Sequence, residues 1–306
     1  EAWLQDRLGG RDRLPDAVAA LRRLPREPGT TPVVFGQGEW LFFSQAARMR
    51  LAQGLPWLDQ TQREAVRRLM RRWAELAAGA GLPLIILLAP DKETIEGERL
   101  PWWARRFDSA PGRAVLVEEL READGLTVID LAPLLLAGAA GRQLYWPYDT
   151  HWTHSAGYLA YRALHEVMRR RWPDLVPLPE EALSRIALPY GQDLWRMLGH
   201  AENPDRRLEP QPWPAQPRAS DTALAGGLRI RERPDLTGLR VILYGDSFAG
   251  TLEPWLAETL PRLVMAPIGP ASELAALLRA QPADLLVVVL VERNLASGLH
   301  LGYADR

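Results

Sequence analysis

Five short apolar runs, separated by helix-like stretches, constrain the fold of this chain more than any other feature. They are 83–89 (PLIILLA), 126–131 (LTVIDL), 239–244 (LRVILY), 263–268 (LVMAPI) and 284–291 (DLLVVVLV). All are strand-sized and unbroken rather than alternating, the pattern of a strand whose two faces are both covered. Amphipathic helical patterns lie between them, at 60–78, 155–171 and 248–260. Strands alternating with helices imply an α/β fold: a doubly wound, mostly parallel sheet with right-handed crossovers, flanked by helices.

The 306 residues, 47% of them hydrophobic, suffice for one sizeable core. Residues 1–30 read as an N-terminal helical arm and 31–306 as the α/β domain. Within it, the proline-thick stretch 203–219 (NPDRRLEPQPWPAQPRA) reads as a loop or insertion. No apolar run approaches the ~20 residues of a membrane-spanning helix. The chain opens on Glu1 rather than Met, which is compatible with a leader or anchor preceding it. Lys and Arg number 37 against 38 Asp and Glu, a net charge of −1, so the basic footprint of a nucleic-acid binder is missing. The Arg68, Arg71, Arg72 and 169–171 clusters read as solvated helix faces. Without cysteine, disulfides, thiolate metal sites and Cys nucleophiles are excluded.

In open α/β sheets the working site lies beyond the carboxyl ends of the strands. The polar residues following the runs are Asp91-Lys92, Asp130, Asp246-Ser247, Gly269 and Glu292-Arg293-Asn294. Gly245-Asp246-Ser247 stands between a strand and a helix. There a turn exposes the serine hydroxyl while the first helical N–H groups face a developing oxyanion. The same tripeptide also makes an ordinary turn and helix cap. A serine nucleophile needs a base, and the chain has five histidines: His151, His154, His165, His200 and His300.

His151 lies in Tyr148-Asp149-Thr150-His151-Trp152-Thr153. In an extended segment Asp149 and His151 point the same way. Asp149 can then hold one ring nitrogen while the other takes the serine proton. The helix that follows, capped by Thr153 or Ser155, places a positive end near His151, and that end opposes protonation of a resting base. A zinc set of Asp149, His151 and His154 is the competing reading; it leaves the serine turn without a purpose. His154 is expected on the first helical turn, His165 on that helix's polar side, and His200 and His300 at the surface.

These motifs together resemble the alginate O-acetyltransferase family, the AlgJ and AlgX type of SGNH domain. Asp149-Thr150-His151-Trp152 precedes Gly245-Asp246-Ser247, a permutation of the usual SGNH order, in which the Asp-x-x-His pair comes last. Further likeness comes from Phe35-Gly36-Gln37-Gly38-Glu39-Trp40-Leu41-Phe42, from Pro90-Asp91-Lys92-Glu93-Thr94-Ile95 with Leu100-Pro101, and from Gln192-Asp193-Leu194 with Met197-Leu198-Gly199. It spans roughly 33–295.

The resemblance implies Ser247, His151 and Asp149 as the catalytic triad. Oxyanion donors are expected from Ser247, Gly269 and Asn294, and substrate contacts from Trp152, Tyr148, Lys92 and Arg293, with no metal and no cofactor. It implies acetyl transfer through an acetyl-serine to an exopolysaccharide acceptor, outside the cytoplasm and most naturally in the periplasm. The acetyl groups would come from a membrane-bound O-acyltransferase partner. An acetyl esterase with the same triad, and a polysaccharide-binding scaffold without chemistry, remain as alternatives.

Overall fold

A computed structural model describes residues 33–38, 40–44, 58–104, 117–118, 120–121, 126–139, 141–188, 191–200 and 210–296. The expected arm at 1–30, residues 203–209 of the proline-thick stretch, and His300 lie outside them. In chain order the elements are β1 (Val33–Phe35), β2 (Leu41–Phe43), α1 (Gln60–Gly79), β3 (Leu84–Ala89) and α2 (Lys92–Ile95). Then follow β4 (Leu126–Asp130), α3 (Ala132–Gly138), α4 (His154–Arg169), β5 (Leu183–Ile186), α5 (Asp193–Met197) and β6 (Gln211–Pro214). The last part contains β7 (Ser220–Ala223), β8 (Arg229–Glu232), β9 (Arg240–Gly245), α6 (Glu253–Thr259), β10 (Arg262–Pro267), α7 (Ala271–Ala280), β11 (Leu285–Val291) and α8 (Glu292–Ala296).

The five apolar runs form the parallel part of a seven-stranded sheet with order β4-β3-β11-β9-β10-β8-β7. The first five strands of that order run parallel, and β8 and β7 are added antiparallel. In β11 the side chains divide between two cores. Leu285, Val287, Val289 and Val291 pack on the face covered by α4 and α6. Leu286, Val288 and Leu290 pack on the face that carries α1 and α7. Both faces of the strand are apolar for that reason, and its sequence shows no alternation. Helix α1 buries Val66, Leu69, Met70, Trp73 and Ala77, a helical stripe, and starts at a capping box between Asp59 and Gln62.

The structure differs from the sequence reading at four elements. Residues 211–214, expected in a loop, form β6 paired with β5 in a separate ribbon. Its prolines are tolerated because a two-stranded ribbon leaves N–H positions outside any ladder. Strand β7 (SDTA) at the sheet edge and β8 (RIRE) beside it are polar strands that no apolar run announces. The helix expected over 248–260 is divided: a 3-10 turn spans Ser247–Thr251 and α6 begins at Glu253. Pro254 lacks the N–H of a helix interior and suits a first turn, so the α-helix restarts there.

The chain visits β3 and β4, later β9 and β10, and returns with β11 between β3 and β9. The carboxyl ends of β3, β9 and β11 therefore meet on one rim, at the point where the strand order reverses.

Candidate active site

Ser247 stands on that rim, directly after β9. Gly245 is required by packing, since a Cβ there would fall 2.5 Å from the Ala249 Cβ and 3.2 Å from Val289. Asp246 then acts as the turn's anchor. Its Oδ1 accepts the Phe248 N–H at 3.0 Å, and its Oδ2 accepts the Val291 N–H and the Asn294 Nδ2 at 2.8 Å each. The end of β11 thus locks the 3-10 turn, with Phe248 buried and Ser247 exposed.

His151 comes from the loop before α4. This loop is folded back rather than extended, the difference from the sequence expectation. Tyr145 bridges Trp152, and the Trp146 N–H donates to the His151 carbonyl at 3.3 Å. Asp149 and His151 still meet, through an Asx-type turn: Asp149 Oδ1 accepts the His151 backbone N–H at 2.8 Å and lies 2.6 Å from its Nδ1. Thr153 ends the loop and caps α4, its hydroxyl accepting the Ala156 N–H at 3.3 Å.

His151 Nε2 lies 2.7 Å from Ser247 Oγ. With an ionised carboxylate at Nδ1, that nitrogen carries the proton, and Nε2 offers its lone pair to the serine hydroxyl. Burial alone would raise the Asp149 carboxyl. The hydrogen bonds and charge of His151 outweigh it and hold the group below its ordinary range. The imidazole packs on Phe248, ring centroids 5.3 Å apart.

Asp193, quoted in the sequence only as part of a motif, is the residue that reading missed. It opens α5, donates its N–H to Asp149 Oδ2 at 3.1 Å, and places its own Oδ2 3.8 Å from His151 Nδ1. Nothing in the spacing from 151 to 193 signals this contact.

The other expected site residues fall elsewhere. Lys92 is buried, its Nζ donating to the carbonyls of Leu41, Trp146, Pro147 and Asp149 at 2.6–3.1 Å, so it pins the loop from beneath and does not face a substrate. Burial pushes its amine down to about 7, against the pull of Glu93 and Asp149. Arg293 is paired with Asp91 at 2.6 Å and lies over the Phe248 ring. Trp152 is buried against Phe248 and Tyr148 is buried beside Trp195, so neither offers a free face for a sugar.

The Gly269 N–H already donates to the Tyr244 hydroxyl at 2.6 Å, and the Asn294 amide holds Asp246. Asn294 thus buttresses the turn and Gly269 is tied to β9, at positions where oxyanion donors were expected. His165 is buried in the core rather than on a polar helix face. His200 is exposed and stacks on Trp195.

The Asp149, His151 and His154 metal set is not assembled, because the His154 ring turns to Trp213 and Trp255. Atoms of Asp149, His151 and Asp193 do lie within 4.8 Å of one another. The 2.6 Å between Nδ1 and Oδ1, however, is the distance of a shared proton rather than of two ligands around an ion.

A family model described as "SGNH hydrolase-like domain, acetyltransferase AlgX" matches residues 33–289. Among solved structures, Bacillus cereus PatB1 with a sulfonyl adduct has a TM-score of 0.62 at 12% identity, covering 86% of this chain and 95% of that one. The O-acetyltransferase domain of Pseudomonas putida AlgJ has a TM-score of 0.50 at 22% identity, covering 86% and 92%. Pseudomonas aeruginosa AlgX has a TM-score of 0.51 at 15% identity, covering 90% and 67%. No curated protein matches the chain. At such identities the structures share the fold, while the family model matches most of the sequence. The chain therefore belongs to the family of SGNH hydrolase-like domains of the acetyltransferase AlgX.

Proposed function

We propose that this protein is an O-acetyltransferase that carries an acetyl group on Ser247 and passes it to a hydroxyl of a polysaccharide. One observation carries the reading: an exposed serine hydroxyl 2.7 Å from an imidazole whose other nitrogen is held by a buried carboxylate. Membership in an acetyltransferase family agrees with it.

In the first step Ser247 Oγ attacks the carbonyl carbon of an acetyl ester or thioester, and His151 Nε2 takes the hydroxyl proton. The tetrahedral oxyanion faces the Ser247 N–H, the first donor of the 3-10 turn. Its collapse breaks the bond to the leaving group, which receives the proton from His151, and leaves acetyl-Ser247. In the second step His151 takes a proton from the acceptor hydroxyl, whose oxygen attacks the acetyl carbon. Collapse then returns the proton to Ser247 Oγ. Asp149 stays ionised and stabilises the imidazolium in both halves. In this reading the acceptor lies outside the cytoplasm and a membrane-bound O-acyltransferase supplies the acetyl groups, as the resemblance to the alginate O-acetyltransferase family implies. None of the described helices is long and apolar enough to cross a membrane.

Hydrolysis is the second reading, and a specific observation favours it: the His151 side chain is 34% exposed, so water reaches the acetyl-serine unless an acceptor covers it. Intact-protein mass spectrometry after incubation with an activated acetyl ester tests the first step. One acetyl adduct on the wild type, absent from Ser247→Ala, is expected. No adduct with any of several donors overturns the proposal. Adding oligosaccharide should divert acetyl from water to sugar; if acetate release is unaltered, the protein is an esterase.

A further inference from the structure

Among the described residues, a further carboxylate stands close to the Asp149–His151 pair and belongs to no member of the expected triad. Asp193 begins α5, 44 residues after Asp149, and touches the loop at several points. Its Oδ1 accepts the Thr150 N–H at 2.8 Å, and its Oδ2 accepts the Thr150 hydroxyl. Its own N–H donates to Asp149 Oδ2 at 3.1 Å, so the catalytic carboxylate is held at both oxygens: Oδ1 by His151, Oδ2 by Asp193. The close approach needs Gly191, where a Cβ would fall 2.6 Å from Asp149 Oδ2. Finally, Asp193 Oδ2 stands 3.8 Å from His151 Nδ1 with its side chain still 30% exposed.

We propose that Asp193 is a positioning residue of this site: it clamps Thr150, orients the Asp149 carboxylate through its backbone N–H, and adds a second negative charge beside the imidazole. The inference rests on the acyl-transfer reading above. A mere loop staple would need only the Thr150 contacts. The position of Oδ2 beside Nδ1 is what a staple does not require, and its consequence is electrostatic. An imidazolium forms in both half-reactions, and a second carboxylate stabilises it. Among the described residues, other titratable and charged groups around the site are Asp149 on the ring's own loop, Lys92 of α2 beneath that loop, Asp246 at the serine turn, and the Arg293 guanidinium of α8 over the Phe248 ring on which the imidazole packs.

Asp193→Asn keeps an oxygen for the Thr150 N–H and removes the charge. With a chromogenic acetyl ester, kcat should fall about tenfold with KM little altered. The acid limb of kcat/KM should also move to lower pH by about half a unit or more, because protonating the base becomes less favourable. An unmoved limb, with folding verified by circular dichroism, overturns the proposal. If Asp193→Asn does not fold, Thr150→Val takes its place: it removes half the clamp and keeps the charge, so kcat should drop at unchanged KM, and an unaltered kcat overturns the clamp.

A readout independent of turnover is the downfield proton resonance of the Nδ1–H shared with Asp149. It should be sharp in the wild type and broadened by solvent exchange in Asp193→Asn. Should the wild type accept no acetyl group, the acyl-transfer reading fails. The resonance alone then decides on Asp193, an unchanged line counting against it.

Discussion

At the scale of single residues, the geometry of the site depends on what lies beneath the loop that carries Asp149 and His151. Lys92 donates to four carbonyls, among them that of Asp149. Lys92→Met removes a buried donor that these four carbonyls share. A loss of about 1–3 kcal/mol in denaturant unfolding is expected, along with a fall in acetyl-ester turnover as Asp149 moves. Stability equal to the wild type would show that the loop does not depend on the pin. In the sequence Lys92 was visible as a lysine after a strand, and a rim position was the natural expectation. The β1–β2 hairpin covers it instead, its Nζ lying 4.9 Å from the Trp40 ring centroid. Asp193 was illegible for a different reason: its contact with Asp149 is made in space, with α4 and β5 between them in the chain, and no local period encodes it.

At the scale of elements, the site is held by the ends of strands and helices. Gly245→Ala forces a methyl into Ala249 and Val289. Overpacking of about 1–3 kcal/mol is expected, and the displaced turn should lower kcat. A thermal unfolding scan and an esterase assay check both; a stable, fully active Gly245→Ala would refute the close-approach explanation. Thr153→Ala removes the cap of α4 and should lower stability by about 1 kcal/mol. Its activity loss should exceed what that stability change explains, because Thr153 also fixes the loop that carries His151 by donating to the Gln143 carbonyl at 2.7 Å. Strands β3, β9 and β11 were legible because burial on both faces demands continuous apolar sequence, and the less buried β4 and β10 because their runs are still mainly apolar. Strands β6, β7 and β8 were not: the proline-bearing β6 pairs only within a two-stranded ribbon, and β7 and β8 form the polar end of the sheet, where ladder pairing and ion pairs such as Arg229–Glu253 and Arg231–Glu253 stand beside little apolar sequence.

At the scale of the whole molecule, buried His165 and partly buried His154 are expected to make the fold sensitive to acid. Burial pushes both His154 and His165 down to about 4, with Arg169 and Arg162 adding to the effect at His165. Neither ring nitrogen of His165 has a hydrogen-bond partner among the described residues. The unfolded chain takes up these protons near the ordinary 6.5, and the native state refuses them until about 4. Below 6.5 the unfolded state therefore binds more protons, and stability is lost as pH falls through that window. The unfolding midpoint should decline between pH 6.5 and 4, and the decline should be shallower in His165→Leu, which leaves no group to protonate. An identical acid slope in that variant would show that His165 does not carry the effect.

Pattern and local chemistry alone determined the class of this fold, its parallel strands, the serine turn, and the Asp149-x-His151 pair. Each of these is written in neighbouring residues, as a run of apolar side chains, a glycine before a helix, or two groups two positions apart. Which polar residues would face the substrate was decided only when the strands were brought together. The return of β11 between β3 and β9 sets Asn294 against Asp246 and Arg293 against Asp91. The crossing of α5 beside the His151 loop brings a second carboxylate to the imidazole. Burial and pairing at such distances depend on tertiary packing. A lysine, an arginine and a tryptophan expected at the rim thus became its foundation, and an aspartate with no local signal became its neighbour.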